Sequence, residues 1–99
     1  MATFKLTNSA VNDLSNIWNY TFDTWSESQA DKYYTLILKA CAAIAKKPQQ
    51  GKGYEEIYPE LKGKKASKQI IFYRIMEDRS IEITRILHER MDLKNTLKK

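Results

Sequence analysis

His88 is the only histidine of the chain, and it stands among charged residues in the run Arg85-Ile86-Leu87-His88-Glu89-Arg90-Met91-Asp92. An imidazole among guanidinium groups can serve phosphodiester chemistry. The histidine would move protons at an attacking hydroxyl and a leaving oxygen, and the cations would steady the developing charge. Lys62, Lys64, Lys65, Arg74 and Arg85 offer further positive charge. Against this reading, Glu89 and Asp92 put carboxylates where a polyanion would have to lie. His88 also has no cysteine or serine at a spacing that suggests a nucleophile pair. Cys41, the only cysteine, falls in an apolar helical stripe and reads as core. One histidine and one distant cysteine do not make a zinc site, and Gly51-Lys52-Gly53 reads as a turn, not a phosphate-binding loop. No metal and no cofactor is expected. Beyond His88 the chain mixes apolar Met91, Leu93 and Leu97 with Lys94, Lys98 and Lys99. Asp92 can cap a short helix there. That mixture suits either a contact with another protein or a tail docked on its own sheet.

These residues need elements to hold them. Ile70–Met76 is apolar, β-branched or aromatic apart from Arg74, and Ser80–Leu87 alternates Ile81 and Ile83 with Glu82 and Thr84. Period two with β-branched enrichment predicts a hairpin with one face on a core. Arg74 and Arg85 then flank that core or pair with acids; Glu82 and Glu55 are candidates, as is Asp92 for Arg85. Upstream, Phe4–Leu6 is a short candidate strand, and Asn8 or Ser9 can cap the helix after it. Val11, Leu14, Trp18, Phe22 and Trp25, with Ile17 and Thr21 beside them, form one helical stripe that assigns both tryptophans to the core. Ser26 is the cap of a second helix, with Glu27 favourable in its first turn. Its stripe is Ala30, Tyr33, Ile37, Cys41 and Ile44, broadened by Tyr34, Leu38 and Ala45. Pro48 ends it near Lys47. The two make an αα-hairpin. Pro48–Gly63 reads as irregular, with one helical turn over Tyr54–Tyr58, and Leu61–Ser67 as an edge strand whose lysines discourage foreign pairing. The whole is an α+β fold in one domain spanning 1–99: an N-terminal strand and an αα-hairpin packed on a small antiparallel sheet.

Lysine and arginine number 17 against 12 acidic residues, a net charge of +5. That balance favours an acidic partner, protein or nucleic acid. The lysines at 62, 64, 65 and 68 either grip such a partner or form a solvated strand and turn. Tyr54, Tyr58 and Tyr73 either stack on bases or pack on the core. A lone cysteine fits a reducing compartment. No secretory leader opens the chain, and no run reaches the roughly 20 apolar residues of a membrane span. A cytoplasmic location is expected, with no membrane contact.

The runs IIFYRI and ITRILHERMD, preceded by QADKYY and IAKKPQQGKGYEEIYPELKG, resemble the ParE branch of the RelE/ParE superfamily, the toxins of bacterial type II toxin–antitoxin pairs. The likeness covers most of the chain. It implies a toxin that inhibits or poisons DNA gyrase by binding, is not itself an enzyme, and is neutralised by a cognate ParD-like antitoxin in a higher-order complex. Carried onto this sequence, it places Arg85, His88, Arg90, Met91, Asp92, Leu93 and Leu97 at the gyrase-facing site. It places Tyr20, Tyr34, Leu38 and Lys64 at the antitoxin contact. The RelE branch of the superfamily supplies the alternative of a ribosome-dependent mRNA endonuclease. Gln69 stands where many relatives have a histidine before IFYR, and an amide is no proton-transfer base, which disfavours that alternative. A non-toxic binding member of the fold is the third reading. Direct nucleic-acid contact is left open.

Overall fold

The computed structural model describes residues 3–90. Strand β1 is Phe4–Leu6, and helix α1, Asn8–Thr24, follows at once. The cap of α1 is Thr7, one residue before the expected Asn8: its Oγ1 accepts from the Ala10 N–H at 3.1 Å. The sheet decides this. The Thr7 N–H donates to the Ile83 carbonyl at 3.0 Å and its hydroxyl donates to the Thr84 carbonyl at 2.8 Å, so one threonine ends the strand and starts the helix. Ser26 caps helix α2, Glu27–Lys46, as its type and place predict. A single 3-10 turn follows at Pro48–Gln50.

The remaining strands are β2 (Lys52–Gly53), β3 (Lys62–Ala66), β4 (Gln69–Ile75) and β5 (Ile81–His88), in spatial order β1-β5-β4-β3-β2. β2 to β5 pair antiparallel in turn, and β1 joins the outside of β5 in parallel. β3 is therefore not the outermost strand. β2 covers Lys62 and Gly63, and among the described residues the outer edge of residues 64–66 has no strand partner. Between β4 and β5 the register slips: Phe72 faces Arg85 but Tyr73 faces Ile83, so Thr84 is an extra residue. This bulge lets Ile81, Ile83 and Ile86 all reach the same core although the last is out of phase with the first two.

Both faces of the sheet are covered. On one, Ile71, Tyr73, Ile81, Ile83 and Ile86 pack against Ala10 and Leu14 of α1 and Ile37, Cys41 and Ile44 of α2. On the other, Phe72 and Leu87 pack under Leu61, Tyr54 and Ile57. Residues 54–58 form the expected single turn, with the Tyr58 N–H on the Tyr54 carbonyl at 3.2 Å. Tyr73 is fully buried and its hydroxyl donates to the Pro48 carbonyl at 2.6 Å. A Cβ at Gly51 would collide with that hydroxyl, so only glycine fits beside it. Cys41 is core, as read, and burial pushes its thiol up to about 11.

The α1 stripe departs from expectation in its second half. Ala10 and Leu14 are buried and Ile17 packs on the core, but Phe22 is half exposed and Trp25 is 73% exposed. Beyond Ile17, α1 has left the sheet behind, and the same periodicity that buries its first half leaves its last turns against α2 alone.

Candidate functional site

Among the described residues, the second half of β5 has no strand on its outer side, because β1 stops at the Leu6–Ile83 pair. Helix α1 supplies what a strand would have supplied. Thr7 takes the Thr84 carbonyl, and Asp13 Oδ2 accepts from the Ile86 N–H at 3.0 Å. Asp13 also grips Arg85 with both oxygens, Nε to Oδ2 at 2.8 Å and Nη2 to Oδ1 at 3.0 Å. The Arg85 side chain is 29% exposed and that of Asp13 only 11%. Hydrogen bonding to the carboxylate holds the guanidinium above its already high ordinary value. Arg85 thus pairs with Asp13 and not with Glu82, Glu55 or Asp92. It braces α1 against the sheet and does not stand free on the surface.

His88 ends β5 directly opposite Gln69 on β4. Strand alternation puts both on the helix face. The His88 Nδ1 accepts from the Arg90 N–H at 3.1 Å, within a turn at Glu89 and Arg90. Glu89 is tied back twice: its N–H donates to the Lys68 carbonyl at 2.9 Å, and its carboxylate lies 2.8 Å from Lys65 Nζ. The Lys65 hydrogen bond holds that carboxyl below its usual range. Arg90 is exposed. Met91, Asp92, Leu93 and Leu97 lie outside the described residues.

The lysines of β3 do not form one strip. Lys62 faces Tyr73 and Lys64 faces Ile71, both on the helix face, whereas Lys65 faces Ile70 on the other. Arg74 lies over the Tyr58 ring at 5.7 Å, opposite Glu82. Its Nε is buried with no hydrogen-bond partner among the described residues. Of the tyrosines, Tyr73 is core, Tyr54 packs edge-on to Phe72 at 5.1 Å, and Tyr58 is half exposed.

The antitoxin set divides. Tyr34 and Leu38 follow Asp31 by three and seven residues on α2, and Asp31 bonds Trp18 of α1, so they line the flank of α2 that meets α1. Tyr20 lies seven residues after Asp13, on the opposite flank of α1, toward the β5 edge. The residues the sequence reading missed are Thr7 and Asp13. Both act on β5 more than 70 residues away; Thr7 is of a type that caps helices, whereas no local pattern marks Asp13.

Among the described residues no group of histidine, cysteine and acidic side chains is placed to hold a metal, and no helix is long and apolar enough to cross a membrane. What this end of β5 presents is a braced strand, an imidazole, an exposed arginine and a helix-face lysine. Residues 4–93 match the family described as the ParE toxin of type II toxin-antitoxin system, parDE. The chain belongs to the ParE toxin family. Toxin ParE1 of Mycobacterium tuberculosis is 32% identical over 94 residues, covering 95% of this chain and 96% of the relative. Toxin ParE1 of Caulobacter vibrioides is 28% identical over 92 residues, 93% and 94% of the two chains. Toxin ParE of Escherichia coli is 29% identical over 97 residues, 98% and 94%. In three dimensions, a chain of the chromosomal ParDE system from P. aeruginosa superposes with a TM-score of 0.77 at 21% identity, over 89% of this chain and 96% of that one. A chain of the RelBE2 toxin–antitoxin complex of Mycobacterium tuberculosis gives 0.60 at 17% identity, over 88% and 96%. The α+β fold of this ParE-family toxin is thus shared with both of those chains.

Proposed function

We propose that this ParE-family toxin stops growth by binding DNA gyrase and holding it in a damaging state, without covalent chemistry of its own, and that a ParD-like antitoxin neutralises it in the cytoplasm. The observation that carries this reading is the match to ParE toxins along nearly the whole chain. Binding is favoured over phosphodiester cleavage by how the ionisable groups are engaged. Arg85 is committed to Asp13, Glu89 to Lys65, and the His88 Nδ1 to the Arg90 backbone. The residue facing His88 is an amide, Gln69. The gyrase-facing surface in this reading is His88 and Arg90 with Met91, Asp92, Leu93 and Leu97, and Arg85 supports it from behind. The antitoxin would lay a helix on the Tyr34–Leu38 flank and an extended segment along β3 near Lys64, where the strand edge is open. Contact with Tyr20 requires it to cross α1.

The test is plasmid supercoiling by purified gyrase and ATP, with and without the toxin, with antitoxin rescue and a gel for cleaved plasmid. Inhibition or trapped cleavage, relieved by antitoxin, is expected. An unaffected reaction from folded, growth-arresting protein would overturn the gyrase reading and direct the search to ribosome-bound mRNA. Truncation after Arg90 should abolish growth arrest while antitoxin binding persists. Arrest by a stably folded truncated protein would remove residues 91–99 from the gyrase site.

A further inference from the structure

The strand that delivers His88 and Arg90 is held by different elements along its two edges. On the inner edge β4 pairs with it as far as His88, the Glu89 N–H donates to the Lys68 carbonyl, and Lys65 reaches the Glu89 carboxylate. On the outer edge, past the Leu6–Ile83 pair, α1 takes over. Thr7 engages the Thr84 carbonyl, and Asp13 engages the Arg85 guanidinium and the Ile86 N–H, so one helix fixes three consecutive residues. These residues lie at the bulge, where an extra residue bends a strand and disrupts its ladder. Only Leu87 stands between the last of them and His88. Ile86 and Leu87 enter cores on opposite faces of the sheet. That packing sets the depth of the strand between the layers and leaves its direction within the sheet to the bonds along its edges.

We propose that Asp13 is a positioning residue for the target-facing end of β5. Through Arg85 and the Ile86 N–H it sets the direction in which the strand presents His88 and Arg90. Its own side chain is only 11% exposed, so it acts through these partners and not by touching the target. This assignment rests on the reading that the end of β5 faces gyrase. A binding group is effective when the residues behind it lock its place. The carboxylate does so with both oxygens: the two parallel bonds fix the guanidinium in plane and direction, and Oδ2 serves the strand backbone as well. An amide offers one acceptor oxygen, and its NH2 would face the donors of Arg85. The antitoxin residues Tyr34, Leu38 and Lys64 stand on α2 and β3 and do not depend on this hold. Loss of Asp13 therefore separates the two partners: target binding falls while antitoxin binding remains.

The test is Asp13→Asn, with Leu14→Ala as its control, because Leu14 is the next residue of the same helix and supplies core packing alone. Both are compared with the wild type at a temperature where circular dichroism shows them folded. Three quantities are read: the concentration that half-inhibits gyrase supercoiling, the affinity for the ParD-like antitoxin, and the backbone amide resonances of residues 86–90. Asp13→Asn is expected to raise the half-inhibitory concentration about tenfold or more while antitoxin affinity stays within about twofold, and to shift the resonances of residues 86–90. Leu14→Ala should leave both inhibition and antitoxin affinity within about twofold of the wild type. If Asp13→Asn does not fold, Asp13→Glu carries the comparison. It keeps the charge and both oxygens on a longer arm, and a loss of inhibition of about threefold or more is expected. Undiminished inhibition by the folded variant, an equal loss in Leu14→Ala, or a parallel loss of antitoxin affinity would each overturn the assignment. If the wild type arrests growth but leaves gyrase unaffected, the gyrase reading alone fails. The same comparison, made on growth arrest, then decides the role of Asp13.

Discussion

The two halves of α1 carry the same apolar periodicity and meet opposite fates. In the first half, Leu14 is buried and Asp13 closes the edge of β5 with three hydrogen bonds. In the second, Phe22 is half exposed and Trp25 stands largely in solvent. The difference lies in what sits opposite: a sheet for the first half, α2 alone for the second. Apolar spacing says which side of a helix is apolar, and only the partner layer says how far along the helix that side is buried.

Mutations along this helix should therefore separate stability from contact. Leu14→Ala should cost about 2–5 kcal/mol in chemical denaturation, as for a buried leucine whose site closes only in part. Asp13→Ala should cost about 2–3 kcal/mol, because it leaves a partly buried guanidinium and the Ile86 N–H without their acceptor. A loss below about 0.5 kcal/mol would mean that water satisfies that edge equally well. On the neighbouring helix, Cys41 gives a pH signature. Its folded value lies above its unfolded one of 9.0, so its contribution is complete below that value and is lost as pH rises toward about 11. Stability should fall by about 1 kcal/mol near pH 10, and Cys41→Ala should flatten that slope. Trp25→Ala should change stability by less than about 0.5 kcal/mol. A larger loss would make the end of α1 part of the packed fold and not a free surface.

Much of this architecture is legible in the sequence because it is local. Ser26 announces the second helix, Pro48 its end, and Ile70–Met76 with Ser80–Leu87 the hairpin. The bulge was legible in principle: the isoleucines at 81 and 83 are in phase and Ile86 is not, a slip that the extra residue Thr84 accounts for. The two-residue β2 is too short to carry a pattern. Asp13 was invisible for a different reason. Its value comes from Arg85 and Ile86, 72 and 73 residues away, and an acidic residue on a helix flank reads as solvated. The candidate site was legible as a location, since His88 and Arg90 do emerge at the end of β5. It was misread in its wiring, since Arg85 is braced from α1 and Tyr20 is separated from Tyr34.

Among the described residues β1 has a single strand neighbour, β5, with Phe4 set against Ile81 and Thr7 reaching Thr84 across 77 residues. During synthesis, then, the strand at Phe4–Leu6 has nothing to pair with until Ile81–Ile83 have been made. A chain interrupted before Ile81 can form helical segments but cannot close the sheet. Folding speed is set by this late, long-range closure and not by the fast helices. A partner that recognises the closed edge of this sheet therefore ignores chains broken before Ile81.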